Sequence, residues 1–367
     1  VAGVVKIPLF YPHIPKEAPE EIFDTLNSKF IGQGPKVDRF EEEFANTFSP
    51  ERYAVSTNSG TAALHLAYIL AGIRNYDEVI APVFTCAATN IPLLYWLGIK
   101  IVFADIQPNT LNIDPNDVKK RINANTKAIV CVHYGGLPCD MTELNRFGLP
   151  VIQDCAHAVG ATYKNVPIAN CSDFSMFSFQ AIKNLTTGDG GMLVLKDKEL
   201  ARKAKLLRWF GIDREKKLKG IWENDIKDIG YKYQMTDIDA SLGLAGLKEI
   251  DRILEYRRYL FHLYKVGLKE VPGISMIGID KKDRRHACWL CTVKVEKRER
   301  LQKKLLEQGI ESGQVHYRND RYSIFGGRRK DLPNMDAIEK KYLVLPLHTK
   351  LSVDDVKKII KVIQSGW

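Results

Sequence analysis

Apolar residues recur in short blocks along this chain, and the spacing within each block predicts the element that carries it. Residues 60–72, GTAALHLAYILAG, return apolar side chains every three or four positions and close on Gly72, which predicts a helix. DEVIAP at 77–82 reads as a short strand, TCAATNIPLLYWLG at 85–98 as a second helix ending at Gly98, and IKIVFAD at 99–105 as a strand. DPNDVKKRIN at 114–123 starts a helix behind an aspartate cap, TKAIVCVHY at 126–134 is the next strand, DMTELNRFG at 140–148 a short helix, and PVIQDCAH at 150–157 another strand. SDFSMFSF at 172–179 and GMLVL at 191–195 add two strands, and DKELARKAKLLRWFG at 197–211 a helix. Apolar strands separated by helices predict an α/β fold with a mostly parallel central sheet flanked by helices.

From residue 236 the pattern is helical for some 36 positions, TDIDASLGLAGLKEIDRILEYRRYLFHLYKVGLKEV. Its length and its glycines predict an interrupted helix that leaves the first domain. ACWLCTVKV at 287–295 alternates like a strand, and helical patterns follow at 297–309 and 352–366. The expected division is a large domain over 1–245 and a smaller C-terminal α+β domain over 246–367, with no repeat or low-complexity linker.

Composition narrows the class. Apolar residues are 45% and charged residues 27% of the chain, ordinary soluble values, and no apolar run reaches the length of a membrane helix. The start reaches proline and acid too early for a secretory signal, and Val1 in place of an initiator methionine is expected of a missing or processed start. The net charge of +10 suits either a nucleic-acid binder or an enzyme for diphosphate substrates. The basic runs REKKLKG and KKDRRH sit in irregular, acid-interleaved stretches and read as solvated surface, which weighs against nucleic acid. Seven cysteines (Cys86, Cys131, Cys139, Cys155, Cys171, Cys288 and Cys291), odd in number and often among apolar neighbours, predict reduced thiols in a cytoplasmic protein. Cys288 and Cys291 form a CxxC, but no second one follows, and buried thiols are the better reading.

Three segments fall at or next to the carboxyl ends of predicted strands, where open parallel sheets bind ligands. STNSGTAAL at 56–64 is a turn running into a helix whose free N–H groups, with the Ser59 and Thr61 hydroxyls, suit a phosphate; serine and threonine are also ordinary helix caps. VIQDCAHAVG puts Asp154 at a strand end with His157 three residues on, an acid fit for a protonated ring nitrogen, or else a turn cap beside a core histidine. Lys183, between a strand and the turn TTGDGG, is either a surface lysine or an amine desolvated enough to attack an aldehyde. Phosphate seat, ring acid and amine together match the three handles of pyridoxal 5'-phosphate (PLP).

The ordered set NSGTAAL, IQDCAHAVG, FSFQAIKNLTTGDGG, DIGYKYQMTDIDASLGLAGL and PLH resembles the DegT/DnrJ/EryC1/StrS family of nucleotide-sugar aminotransferases, from about Pro8 to Ile363. The resemblance implies the PLP-dependent transferase fold type I and a cytoplasmic homodimer with shared active sites. It also implies PLP cycling through pyridoxamine 5'-phosphate, with glutamate as donor and a nucleotide-linked keto-deoxy sugar as acceptor. It assigns Lys183 to the Schiff base and to proton transfer between Cα and C4', Asp154 to the pyridine nitrogen, and His157 to a place beside the ring near its 3'-oxygen. Gly60, Thr61 and Ser178 match the phosphate contacts, and a partner-subunit loop, here GYKYQMTD, adds one more.

Three departures stand out. Where relatives stack an aromatic residue on the cofactor this chain has Cys86, so that either Phe84 shifts inward or the ring is held by Asp154 and its opposite face. The partner loop carries Lys232 and Gln234 where GYNYRM is common, and Gln153 precedes the ring acid where many relatives have glutamate. A related dehydratase has histidine in place of the Schiff-base lysine, which Lys183 argues against. The preferred acceptor is a 4-keto-6-deoxyhexose aminated at C4; the rivals are C3 amination and a non-enzymatic regulatory or scaffold member. In ESGQVHYRNDRYSIFGG, Arg318, Arg321 and the nearby tyrosines are either diphosphate or base contacts or an exposed turn.

Overall fold

Seven strands form the central sheet, in the spatial order Tyr53–Thr57, Gly191–Leu195, Phe174–Ser178, Val151–Asp154, Thr126–Val132, Glu78–Pro82 and Lys100–Ala104. All neighbours are parallel except Gly191–Leu195, which runs against both of its partners. The computed structural model describes residues 5–223, 225–279 and 281–367; Val1 lies outside them. Strands such as Glu78–Pro82 are buried along their whole length because helices cover both faces, which explains their near-continuous apolar composition. The strand Tyr53–Thr57 has no place in the pattern read above; it joins by antiparallel pairing that sets Thr57 opposite Gly191. At that point a side chain on Gly191 would strike the Ser59 carbonyl at 2.5 Å, so glycine lets the turn before residue 60 close onto the sheet.

Two expected helices differ. The stretch 85–98 holds one turn of helix, Ala87–Asn90, then a tighter 3-10 turn, Ile91–Tyr95. Pro92 has no N–H to continue an α-helical ladder, which breaks the run. Conversely, Asp237–Gly267 is one unbroken helix of 31 residues, not an interrupted one. Its start is held by a reciprocal cap between Thr236 and Asp239. Its glycines are contact points: a side chain on Gly243 would meet Phe40 at 2.7 Å, and one on Gly246 would meet Leu185 at 2.6 Å. Close packing there offsets the roughly 1 kcal/mol that each glycine costs a helix interior.

The proposed division near residue 245 falls inside this helix. Its residues to Leu254 pack in a core with the sheet, and from Leu260 onward they pack in a second core. That second core lies under a three-stranded antiparallel sheet, Ile274–Met276, Cys291–Val295 and Tyr342–Leu345, with helices Arg298–Glu307 and Val353–Gln364. The strand expected from residue 287 begins at Cys291. Residues 287–290 are drawn instead to the turn after the strand Thr126–Val132, where Ala287 N–H donates to the Gly136 carbonyl and Trp289 and Leu290 N–H both donate to that of Gly135. Cys288 takes a left-handed φ of 52° in this detour. No disulfide joins any of the seven cysteines, and no helix among the described residues is long and apolar enough to cross a membrane.

Candidate active site

The helix Gly60–Leu70 begins at the carboxyl end of Tyr53–Thr57, with Ser59 accepting from Ala62 N–H as its cap. The N–H groups of Gly60 and Thr61 have no acceptor among the described residues. Ser178, at the end of its own strand, stands against the same turn: a methyl group on Gly60 would lie 3.0 Å from its Cβ. The Ser178 and Thr61 hydroxyls donate to no described protein group. Two free amides at a helix N-terminus and two free hydroxyls fit a phosphate in number, sign and direction.

Asp154 ends the strand Val151–Asp154 and is buried. Its Oδ1 accepts from Ala156 N–H at 3.0 Å and its Oδ2 from the Thr89 hydroxyl at 2.7 Å. The Thr85 hydroxyl lies 2.8 Å from that of Thr89, and because the Thr89 proton is used on Asp154, Thr85 is the donor. Burial raises the carboxyl pKa against these hydrogen bonds and the nearby Lys183 charge, so a cation facing it would be favoured. Behind it, Cys139 N–H donates to His133 Nδ1, which leaves His133 Nε2 to donate to Gln153 Oε1. The Gln153 amide in turn donates to Ser175. Gln153 thus completes a hydrogen-bonded network beneath the acid.

Lys183 follows a turn in which its own N–H bonds the Gln180 carbonyl. Its amine is partly shielded, and burial lowers its pKa from 10.5 to about 8, with Asp154 acting in the opposite direction. The amine sits 3.7 Å from the ring centroid of Trp289, a cation–π contact. Trp289 Nε1 donates to the Ile182 carbonyl, next to the lysine, so the docking of 287–290 brings a residue more than a hundred positions away in the chain into the site. His157 stacks on Trp289 at 3.9 Å between centroids, and His316 lies parallel to His157 at 5.1 Å. Gly135 N–H donates to His157 Nδ1, so the proton of the neutral ring is on Nε2, directed at His316 Nε2 3.3 Å away. Burial holds the pKa of His157 well below its ordinary value and that of His316 at about 3, the Lys183 charge adding to both.

The amine acts electrostatically on both the acid and His157, and Asp154 pairs with Met176, two residues before Ser178 of the phosphate seat, so these groups gather at one end of the sheet, while other expected residues lie elsewhere. Phe84 turns inward, 5.0 Å from the Tyr134 ring and 4.9 Å from that of Tyr342, and Cys86 is exposed. The segment holding Lys232 and Gln234 laces onto this chain's own turn: Asn58 N–H donates to the Tyr233 carbonyl and the Asn58 amide to that of Lys232. Lys232 is exposed with its amine over the Phe210 ring, and the buried side-chain oxygen of Gln234 has no partner. Arg318 is not available to a diphosphate. It is fully buried, with Nε and Nη2 on Asp320 at 2.6 and 2.7 Å and Nη1 on Asp336 and Glu339. Thr89, Trp289 and His316 carry no local signature; only a threonine four residues after Thr85 in a broken helix hinted at the first.

Residues 12–364 match the family model described as the DegT/DnrJ/EryC1/StrS aminotransferase family. The UDP-4-amino-4-deoxy-L-arabinose–oxoglutarate aminotransferase of Shewanella sediminis is 33% identical, over 97% of this chain and 97% of its own. Among solved structures, AtS13 from Actinomadura melliaura superposes with a TM-score of 0.93 at 36% identity, covering both chains fully. The putative sugar aminotransferase Spr1654 from Streptococcus pneumoniae, solved in PLP and PMP forms, superposes with TM-scores of 0.91 and 0.92 at 29% and 30% identity, over 98% of each chain.

Proposed function

This chain belongs to the DegT/DnrJ/EryC1/StrS aminotransferase family, PLP-dependent enzymes that cycle through the pyridoxamine form, and on that premise we propose its reaction and the residues that perform it. It moves an amino group from glutamate to C4 of a nucleotide-linked 4-keto-6-deoxyhexose. The activity of the Shewanella sediminis relative, a 4-amino sugar nucleotide paired with oxoglutarate, supports both the carbon and the donor. The observation that carries the assignment of residues is the Lys183 amine, with a pKa of about 8, coupled electrostatically to a buried acid at the same end of the sheet as an anion seat of free amides.

When bound, PLP supplies an aldehyde for that amine and a ring that accepts the electrons of a carbanion. Gly60 and Thr61 N–H, with the Thr61 and Ser178 hydroxyls, would hold the phosphate. Asp154, kept in place by Thr89 and Ala156, would pair with the pyridine nitrogen and favour its protonated form. His157 would stand beside the ring near its 3'-oxygen, its Nε2–H being the donor it has to offer. Lys183, once free, would take up at Nζ the proton lost from Cα and deliver it to C4', a task that suits an amine titrating near the working pH. Trp289 receives the charged amine between these steps. The working unit is a cytoplasmic homodimer in which Lys232 or Gln234 reaches the neighbouring subunit's phosphate.

Borohydride reduction followed by peptide mapping is expected to leave a pyridoxyl group on Lys183, and its appearance on another lysine rejects the assignment. Offering the pyridoxamine form both keto isomers on one nucleotide, with NMR of the product, tests the carbon. Turnover of the 3-keto isomer alone replaces C4 with C3.

A further inference from the structure

Resting on the nucleotide-sugar reading, we propose that Arg321, mounted on Tyr317 and Tyr322, is the side chain of this protein that grips the diphosphate of the substrate.

The two-residue strand Tyr317–Arg318 pairs antiparallel with Phe84–Thr85, with Tyr317 opposite Thr85 and Arg318 opposite Phe84. Residues directly opposite in such a pair project from the same face. The face of Phe84 and Arg318 is interior: both are fully buried. The other face is that of Thr85, whose hydroxyl leads through Thr89 to the ring acid Asp154. Tyr317 shares that face, is 37% exposed, and directly follows His316, which lies parallel to His157 at 5.1 Å, so it stands at the rim of the site. The pairing is clamped by Asn319, whose N–H donates to the Val83 carbonyl and whose amide donates to that of Thr85. The rim is therefore built on the sheet.

The arginines on this rim have opposite fates. Arg318 is neutralised by Asp320, Asp336 and Glu339, and Arg328 is paired with the last two. Arg321, three residues after Arg318, is exposed and has no ion pair or hydrogen bond among the described residues. Its guanidinium lies 4.5 Å from the ring centroid of Tyr317 and 5.9 Å from that of Tyr322. Stacking on a ring restrains a guanidinium while leaving its N–H donors free along the edge. A planar donor fork, pre-oriented and unneutralised at the mouth of a site, fits two bridged phosphates better than a flexible lysine does.

The test is isothermal titration of UDP, GDP and dTDP into the cofactor-loaded enzyme, alongside single-turnover kinetics with glutamate alone. Arg321→Ala is expected to weaken the preferred diphosphate about 10- to 100-fold, the span of hydrogen bonds to a charged group. The glutamate half-reaction and cofactor absorbance should be unchanged, because the side chain is exposed and outside the catalytic cleft. Arg321→Lys should recover only part of the affinity, and Lys330→Ala, the same charge change on the same loop, none of the loss. Wild-type affinity in Arg321→Ala, or an equal loss in Lys330→Ala, overturns the proposal. If the wild type runs the glutamate half-reaction but binds none of the three diphosphates, the nucleotide-sugar reading fails with it, an outcome told apart by being visible without any variant.

Discussion

Replacing Lys183 by methionine removes the reactive amine, and in the cofactor-free protein it should also increase stability. The amine's pKa is about 8 in the fold against 10.5 for an ordinary lysine, with burial as the leading cause. Below pH 8 the amine is protonated in both folded and unfolded chains, and the folded chain carries the whole cost of the sheltered charge. Two and a half pKa units at 1.36 kcal/mol each make that about 3 kcal/mol, an upper figure because the side chain is only partly shielded. Between pH 8 and 10.5 the unfolded chain holds the proton that the folded chain has released, so wild-type stability rises with pH, and above 10.5 the cost is gone. Methionine nearly matches the stem in length and carries no charge. Urea unfolding of cofactor-free wild type and Lys183→Met at pH 7, 9 and 10.5 should therefore show an advantage to the variant of up to about 3 kcal/mol that shrinks across the series. Other groups titrate in both proteins and cancel in the difference. A pH-independent difference, or a less stable variant at pH 7, would falsify the burial argument.

Thr89→Val leaves Asp154 with one donor fewer and Thr85 without its acceptor. The glutamate half-reaction should slow about 10-fold or more in stopped-flow absorbance, and Thr89→Ser should restore it. Arg318→Met breaks the buried pair with Asp320, and the melting curve should report a loss of about 3–5 kcal/mol, distinct from the activity-only effect expected at Arg321. Mixing Lys183→Ala subunits with subunits altered at both Lys232 and Gln234 should recover activity through one sound site per mixed dimer; mixtures no more active than their parents would show that the sites are not shared.

Much of the site was legible because its parts are local. A strand ending in Asp154, a turn before Gly60 and a lysine before TTGDGG announce themselves within a few residues, since strand alternation, capping and glycine turns are short-range physics. Alternating apolar blocks likewise determined the parallel sheet, because a strand buried on both faces has to be apolar throughout. What the tertiary structure decided are the meetings of distant segments. Trp289 reads from its neighbours as a strand residue, yet the carbonyls of Gly135 and Gly136 pull its segment into the cleft. Gly243 and Gly246 read as helix breakers until Phe40 and Leu185 are found filling the space they leave. Arg318 and Arg321 are indistinguishable in sequence, and their roles separate only because one faces the Phe84 side of a two-residue ladder, among carboxylates, and the other is exposed on a tyrosine. A residue's own periodicity carries no information about what lies across such a ladder from it, so charge neutralisation, close packing and the shared cleft could be assigned only once the chain was folded.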